Sequence, residues 1–155
     1  MEALTPLILQ VMPVVGPILI GILYVFASSL FKEPHRRNFN AIMLAGAGAA
    51  DLNGGLGLLE FAFTTVLTYC AYNGLNAYRF IGIGWLLHTG WDLMHHLYGN
   101  PIVPFAPTSS LGCAICDPVI AIWCFAGAPS LFDLFRKQLG IEEKAALIKG
   151  AGESI

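Results

Sequence analysis

The sequence predicts an all-α fold, a membrane helix bundle. Three observations carry that reading. Hydrophobic residues make up 56% of the chain and charged residues only 12%, about half the charged share usual in soluble domains. The charges cluster, mostly in 32–37 and from Asp133 onward. Between the clusters, apolar stretches follow one another at lengths that match a hydrocarbon core, which takes about 20 helical residues.

The elements follow in order. Residues 5–30 are apolar and form the first helix, with Pro13 and Pro17 kinking or tightening its early turns. A secretory signal would need a basic start, and the chain opens Met1-Glu2-Ala3. A basic loop, 32–37, comes next. The apolar stretch 41–74 is too long for one simple span and holds Asp51-Leu52-Asn53-Gly54-Gly55, which is turn chemistry. It therefore divides into a short helix at 38–52 and a span at 56–72. Further spans are expected at 79–98 and 118–135. Residues 1–136 form the bundle and 137–155 a polar tail, weakly amphipathic from Gly140.

Charge sets the orientation. Lys32, Arg36 and Arg37 mark one loop as cytoplasmic, and Arg136, Lys137, Lys144 and Lys149 mark the C-terminus so, while 100–112 carries no charge. Five segments with the N-terminus outside satisfy all of these. The alternative is four, with 41–74 as one tilted helix. No basic–aromatic array points to nucleic acid, and a net charge of −2 selects no partner beyond the bilayer.

The functional signal is ionisable chemistry inside apolar helix. His88, Asp92, His95 and His96 fall at i, i+4, i+7 and i+8, within one roughly 100° stripe. Two ligands at i and i+4 can chelate one ion, as in the H-E-x-x-H zinc motif. Imidazole with carboxylate suits zinc, iron or manganese. The same seam could instead be structural pairing of Asp92 with a protonated histidine, or a proton relay. Glu60 lies in a span with no cation near it in sequence, as a further ligand, a general base or an interfacial residue, and Thr64 shares its face. Asp51 and Asn53 read as turn or cap residues and as spare polar candidates. Cys113 and Cys116 have C-x2-C spacing, open to a disulfide or to inert thiols. Asp117-Pro118 reads as an N-cap followed by a first-turn proline, with an acidic ligand as the other role. The small residues Ala45, Gly46, Ala49 and Ala50 suit close helix packing. Trp85, Trp91, Tyr98 and Trp123 read as packing and interfacial anchors.

On G-I-G-W-L-L-H-T-G-W-D-L-M-H-H (82–96) and C-A-I-C-D-P (113–118), the chain resembles a family of small bacterial integral-membrane proteins with no assigned function. The resemblance covers about 41–123. It implies a multi-pass protein of the bacterial inner membrane and no particular reaction. Two groups are more distant analogies. Membrane fatty-acid desaturases and hydroxylases bind two irons through histidine boxes such as H-x2-H-H; here Asp92 takes the first place, and Glu60, Asp51 or Asp117 would have to stand in. Ceramidase-like membrane zinc hydrolases use three His, an Asp and a Ser; His88, His95, His96 and Asp92 could supply that complement, with Thr64 for the serine.

The resulting expectation is a metal-dependent membrane enzyme with a hydrophobic or lipid-like substrate. Zinc or iron is held by His88, Asp92 and His95 or His96, with Glu60 and Asp92 as catalytic groups, and a hydrolase is preferred to an oxidoreductase. The alternatives are a proton or metal-ion transporter, which so few spans would require to be a homo-oligomer, and an accessory subunit of a membrane complex.

Overall fold

The computed structural model describes residues 4–103 and 105–140, without the side chains of 4–10 and 53. The expected tail beyond residue 140, with Lys144 and Lys149, lies outside the described residues, as does the side chain of Asn53. Among the described residues there are six α-helices and no strand: α1 Leu4–Ser28, α2 His35–Ala50, α3 Leu58–Gly74, α4 Tyr78–Leu97, α5 Ser109–Phe125 and α6 Leu131–Gln138. A 3-10 turn, Asp51–Asn53, links α2 to α3. One helix, α1, is long and apolar enough to cross a membrane by length and composition, through its segment Val11–Ser28.

The division of 41–74 is borne out, and the single tilted helix is not. The chain leaves α2 at Ala50 and turns through Gly55 and Gly57, both at positive φ, before α3 begins. Glu60 fixes this turn. Its Oε1 accepts the Leu56 N–H at 2.7 Å while its own N–H donates to Gly57 O, in the manner of a capping-box glutamate.

The expected span at 118–135 is corrected. Its helix starts nine residues earlier, at Ser109, and ends at Phe125. The Ser109 and Ser110 hydroxyls accept the Val103 and Ile102 N–H groups and anchor the new start. Pro118 therefore lies inside α5, where it forfeits one helical hydrogen bond. The helix stops in a Schellman arrangement: Ala128 N–H reaches Trp123 O at 2.9 Å, Gly127 N–H reaches Cys124 O at 3.0 Å, and Gly127 has φ +85°. α4 ends the same way, through Gly99 and Asn100 onto His96 and His95. α1 continues through Pro13 and Pro17.

α4 is central. It packs on α5, α3 and α2, while α1 lies against α5 and touches α2. Close approach is set by small residues: a Cβ on Gly84 would strike Leu44, and one on Gly48 would stand 3.0 Å from Leu67. Of the small residues of α2, Ala41, Ala45 and Gly48 pack inward, whereas Gly46 faces open space.

The helices alternate up and down, which gives the bundle two distinct ends. At one end, Arg37 donates to Leu75 O, Tyr78 to Glu33, and Ser130 to Ser29 O. At the other, Gly54 packs on His95 and Gly55 on Asn100. Leu44, Leu67 and Ile81 are fully buried in the middle of the bundle, and toward the first end Ser28, Arg36 and Asn40 are buried as well. In the other half the buried residues are Asp51, Glu60, His88, Asp92, His95 and Asp117.

Candidate metal centre

Helical spacing builds the first part of the site. Asp92 follows His88 by four residues on α4, and its Oδ2 lies 2.9 Å from His88 Nδ1. α5 brings Asp117 to the same ring, with Oδ2 at 2.7 Å from Nδ1. The 3-10 turn after α2 brings Asp51, whose Oδ2 lies 3.2 Å from His88 Nε2. All four side chains are buried, Asp51 and Asp92 completely.

Counting protons shows what this cluster lacks. A neutral imidazole carries one N–H and an imidazolium two, and three carboxylates face the ring. Only the Asp117 contact has hydrogen-bond geometry. Both oxygens of Asp51, both of Asp92 and His88 Nε2 are buried without a hydrogen-bond partner. Unpartnered buried acceptors of this kind are costly. A cation resolves the cost. Asp51, His88 and Asp92 each offer one ligand atom, all within 4.8 Å of one another, and this group could hold a metal ion.

Asp117 has a different part. With Asp117 ionised and His88 neutral, the proton that joins them sits on Nδ1. That leaves the lone pair on Nε2, the nitrogen facing Asp51. A carboxylate behind a histidine fixes ring and tautomer in the same way in metal sites generally.

His95 lies one turn beyond Asp92 on the same face. It is fully buried, neither ring nitrogen has a partner, and Trp91 meets it edge-on at 5.5 Å. Gly54 lies over it so closely that a Cβ there would overlap the ring.

A family model matches residues 12–130. The chain belongs to DUF6010, a family of unknown function. No curated protein and no solved structure matches it. The span shared with DUF6010 contains the whole cluster and all of α2 to α5; it stops just before α6.

A cleft of about 240 Å³ reaches the cluster between α1, α2, α4 and α5. Asp51, His88 and Asp117 form its polar floor, and Tyr24, Ala47, Trp85 and Ile120 are among its walls. Ile20 and Met43, both exposed, stand at its mouth. Cys113 and Cys116 line it as free, half-buried thiols on α5 rather than in a loop.

Several expected site residues fall elsewhere. His96 is only half-buried and takes no part in the cluster. Glu60 has its carboxylate on the Leu56 N–H, outside the cluster. Thr64 donates to Gly48 O at 2.6 Å and ties α3 to α2. Conversely, Asp51 and Asp117 were expected chiefly as turn and cap residues, and both point into the centre. Asp117 cannot cap α5, because it lies in the middle of that helix. The available signal was the cost of an acidic residue amid apolar neighbours. The adjacent Gly-Gly and Pro supplied a local explanation that hid it.

Proposed function

We propose that this chain is a multi-pass membrane protein that holds one divalent cation at Asp51, His88 and Asp92 and hydrolyses a small apolar substrate. The embedding is supported by an inverted distribution of polarity. Large apolar side chains cover the outer faces of several helices, with Leu23, Ile42, Leu58, Tyr69 and Ile122 each more than 60% exposed, whereas the interior holds acids and histidines. Exposed apolar area on this scale marks a lipid or protein contact, and buried ionisable groups facing a bundle interior mark function. The five longer helices are then the membrane segments. Lys32, Arg36, Arg37, Arg79, Arg136 and Lys137 all gather near one end, which the positive-inside tendency assigns to the cytoplasm. The bacterial inner membrane fits that arrangement.

The observation that carries the metal reading is the shortage of protons around His88. Three protein ligands leave coordination positions open, as catalytic sites do. When bound there, a divalent ion supplies Lewis acidity toward a carbonyl and acidifies water. The chain does the rest. Asp117 holds the proton on His88 Nδ1 and fixes the ring. Asp92 Oδ1, free of hydrogen bonds, is the acceptor for a proton released in the reaction. The apolar cleft excludes water and orients the substrate from the side of the bundle.

Hydrolysis is preferred to ion transport on a second observation. Leu44, Leu67 and Ile81 are fully buried between the cluster and the cation-rich end, and the buried acids and histidines all lie on the cluster's side of them.

The test is metal content by mass spectrometry on detergent-purified protein, followed by hydrolysis of short-chain esters and amides. We expect one zinc, iron or manganese per chain in the wild type, loss of it in His88→Ala and Asp51→Asn, and metal-dependent turnover. Wild-type protein prepared without chelators and free of metal would overturn the proposal. Stoichiometric metal without turnover across the panel would remove the hydrolase part alone.

A further inference from the structure

At the opposite end of the bundle from the cluster lies a second cavity, of about 480 Å³. Lys32, Arg36 and Arg136 line it with Glu33 and Asp133. The position of Arg36 is unusual. Its side chain is only 9% exposed. Its Nε donates to Glu33 Oε1 at 3.1 Å, but its Nη1 is buried with no partner. A buried guanidinium N–H without an acceptor is costly, and carboxylates and phosphates are the groups its fork geometry matches. Glu33 does not meet that need, since the same oxygen also accepts the Tyr78 hydroxyl at 2.6 Å. Lys32 and Arg136 are exposed, one on each side of the cavity, on the α1–α2 connection and on α6.

Apolar groups border these charges. Leu30 and Phe31 line the cavity and are exposed, and Phe132 of α6 lines it from the other side. α6 is held down by Phe132, whose ring meets Phe26 at 5.0 Å, and by the Ser130 hydroxyl on Ser29 O. Leu134 and Phe135 of α6 are exposed.

We infer that this cavity binds a phosphate-bearing anion, and that the anion is the headgroup of an acidic phospholipid. Arg36, Lys32 and Arg136 take the phosphate, and the exposed apolar residues beside them lie along the acyl chains. The shared chemistry with free phosphate is the oxyanion; the apolar border is what favours the lipid, because inorganic phosphate has no use for it. Basic pockets between helices on the cytoplasmic side are suited to such headgroups. The inference rests on the membrane-embedded reading above and is independent of the metal centre.

The test uses the full chain in neutral detergent, with thermal unfolding followed during titration with dihexanoyl phosphatidylglycerol, dihexanoyl phosphatidylcholine and inorganic phosphate. Phosphatidylglycerol should raise the midpoint saturably, and phosphatidylcholine should not. Lys32→Gln and Arg136→Gln, both at exposed positions, should each weaken the binding about fivefold, from the contribution of one basic residue near an anionic surface. The double variant should weaken it about twenty-five-fold if the two act independently. Equal shifts by the two lipids, or full affinity in the double variant, would overturn the site. An equal shift by inorganic phosphate at the same concentration would overturn the lipid as its source. Flotation of the wild type with phosphatidylcholine vesicles after a carbonate wash reads the embedding separately, so its failure is distinguishable from failure of the site.

Discussion

Replacing Asp117 with asparagine tests the metal reading through two opposed effects, one on zinc affinity and one on the stability of the metal-free protein. Asp117 accepts the His88 Nδ1 proton at 2.7 Å from a buried position. The Asp117→Asn variant keeps the side-chain volume and one acceptor oxygen but removes the charge. If the cluster holds a cation, the change weakens His88 as a ligand and frees its tautomer. Loss of such a supporting carboxylate lowers metal affinity about 10- to 100-fold, or about 1.4–2.7 kcal/mol. If the cluster holds no cation, the same change removes one of two carboxylates that share Nδ1. Those repel by about 3 kcal/mol at the effective dielectric of a buried site, so the variant becomes more stable. The assay is competition for zinc between purified apo-protein and a chromogenic chelator, with thermal unfolding of both forms in excess chelator. We expect the variant to bind zinc at least tenfold more weakly and, stripped of metal, to unfold at a higher temperature than stripped wild type. Zinc affinity within twofold of the wild type would refute the role given to Asp117.

The other predictions follow from the same geometry. Chelation should lower the unfolding midpoint of metal-loaded wild type, since a ligand at a thousandfold excess over its Kd contributes about 4 kcal/mol; His88→Ala should show no such response in calorimetry. Gly54→Ala should cost about 1–3 kcal/mol by driving a methyl into His95, and adding His95→Ala should recover much of that loss in a denaturant titration. Glu60→Ala should cost about 1–2 kcal/mol through the lost bond to Leu56, with Glu60→Gln nearly neutral and metal content unchanged in both by mass spectrometry. Ala47→Phe fills the cleft, so turnover should fall while bound metal stays at the wild-type level, and maleimide labelling of Cys116 should slow.

Much of this was legible in the sequence, for identifiable reasons. Helical period alone placed His88, Asp92 and His95 on one buried face of α4, because their spacing needs no tertiary information. The break between α2 and α3 was legible because Asn53-Gly54-Gly55 can hardly continue a helix. Asp117 was not legible in the same way. Its neighbour Pro118 is a first-turn residue far more often than a mid-helix one, so local propensity pointed away from the helix that tertiary packing against α1 and α4 sustains. Close contact explains why: a Cβ on Gly21 of α1 would stand 3.0 Å from Cys116 O and from Val119 Cβ, flanking that proline. His96 failed for the opposite reason. It stands about 100° around α4 from His95, at the edge of the stripe, and is only half-buried.

The three ligand-bearing positions, Asp51, His88 and Asp92, all precede α5, whereas the carboxylate that fixes His88's proton arrives with it. A nascent chain that has completed α4 thus owns every ligand atom but not the residue that tunes them. If the cluster holds a metal ion, its loading and retention become separate events in biogenesis. An ion could exchange freely while α5 is still undocked, and docking of α5 would raise affinity and shut the exit in one movement. Maturation of this protein would then have a built-in interval for choosing its metal, ended by the docking of its last long helix.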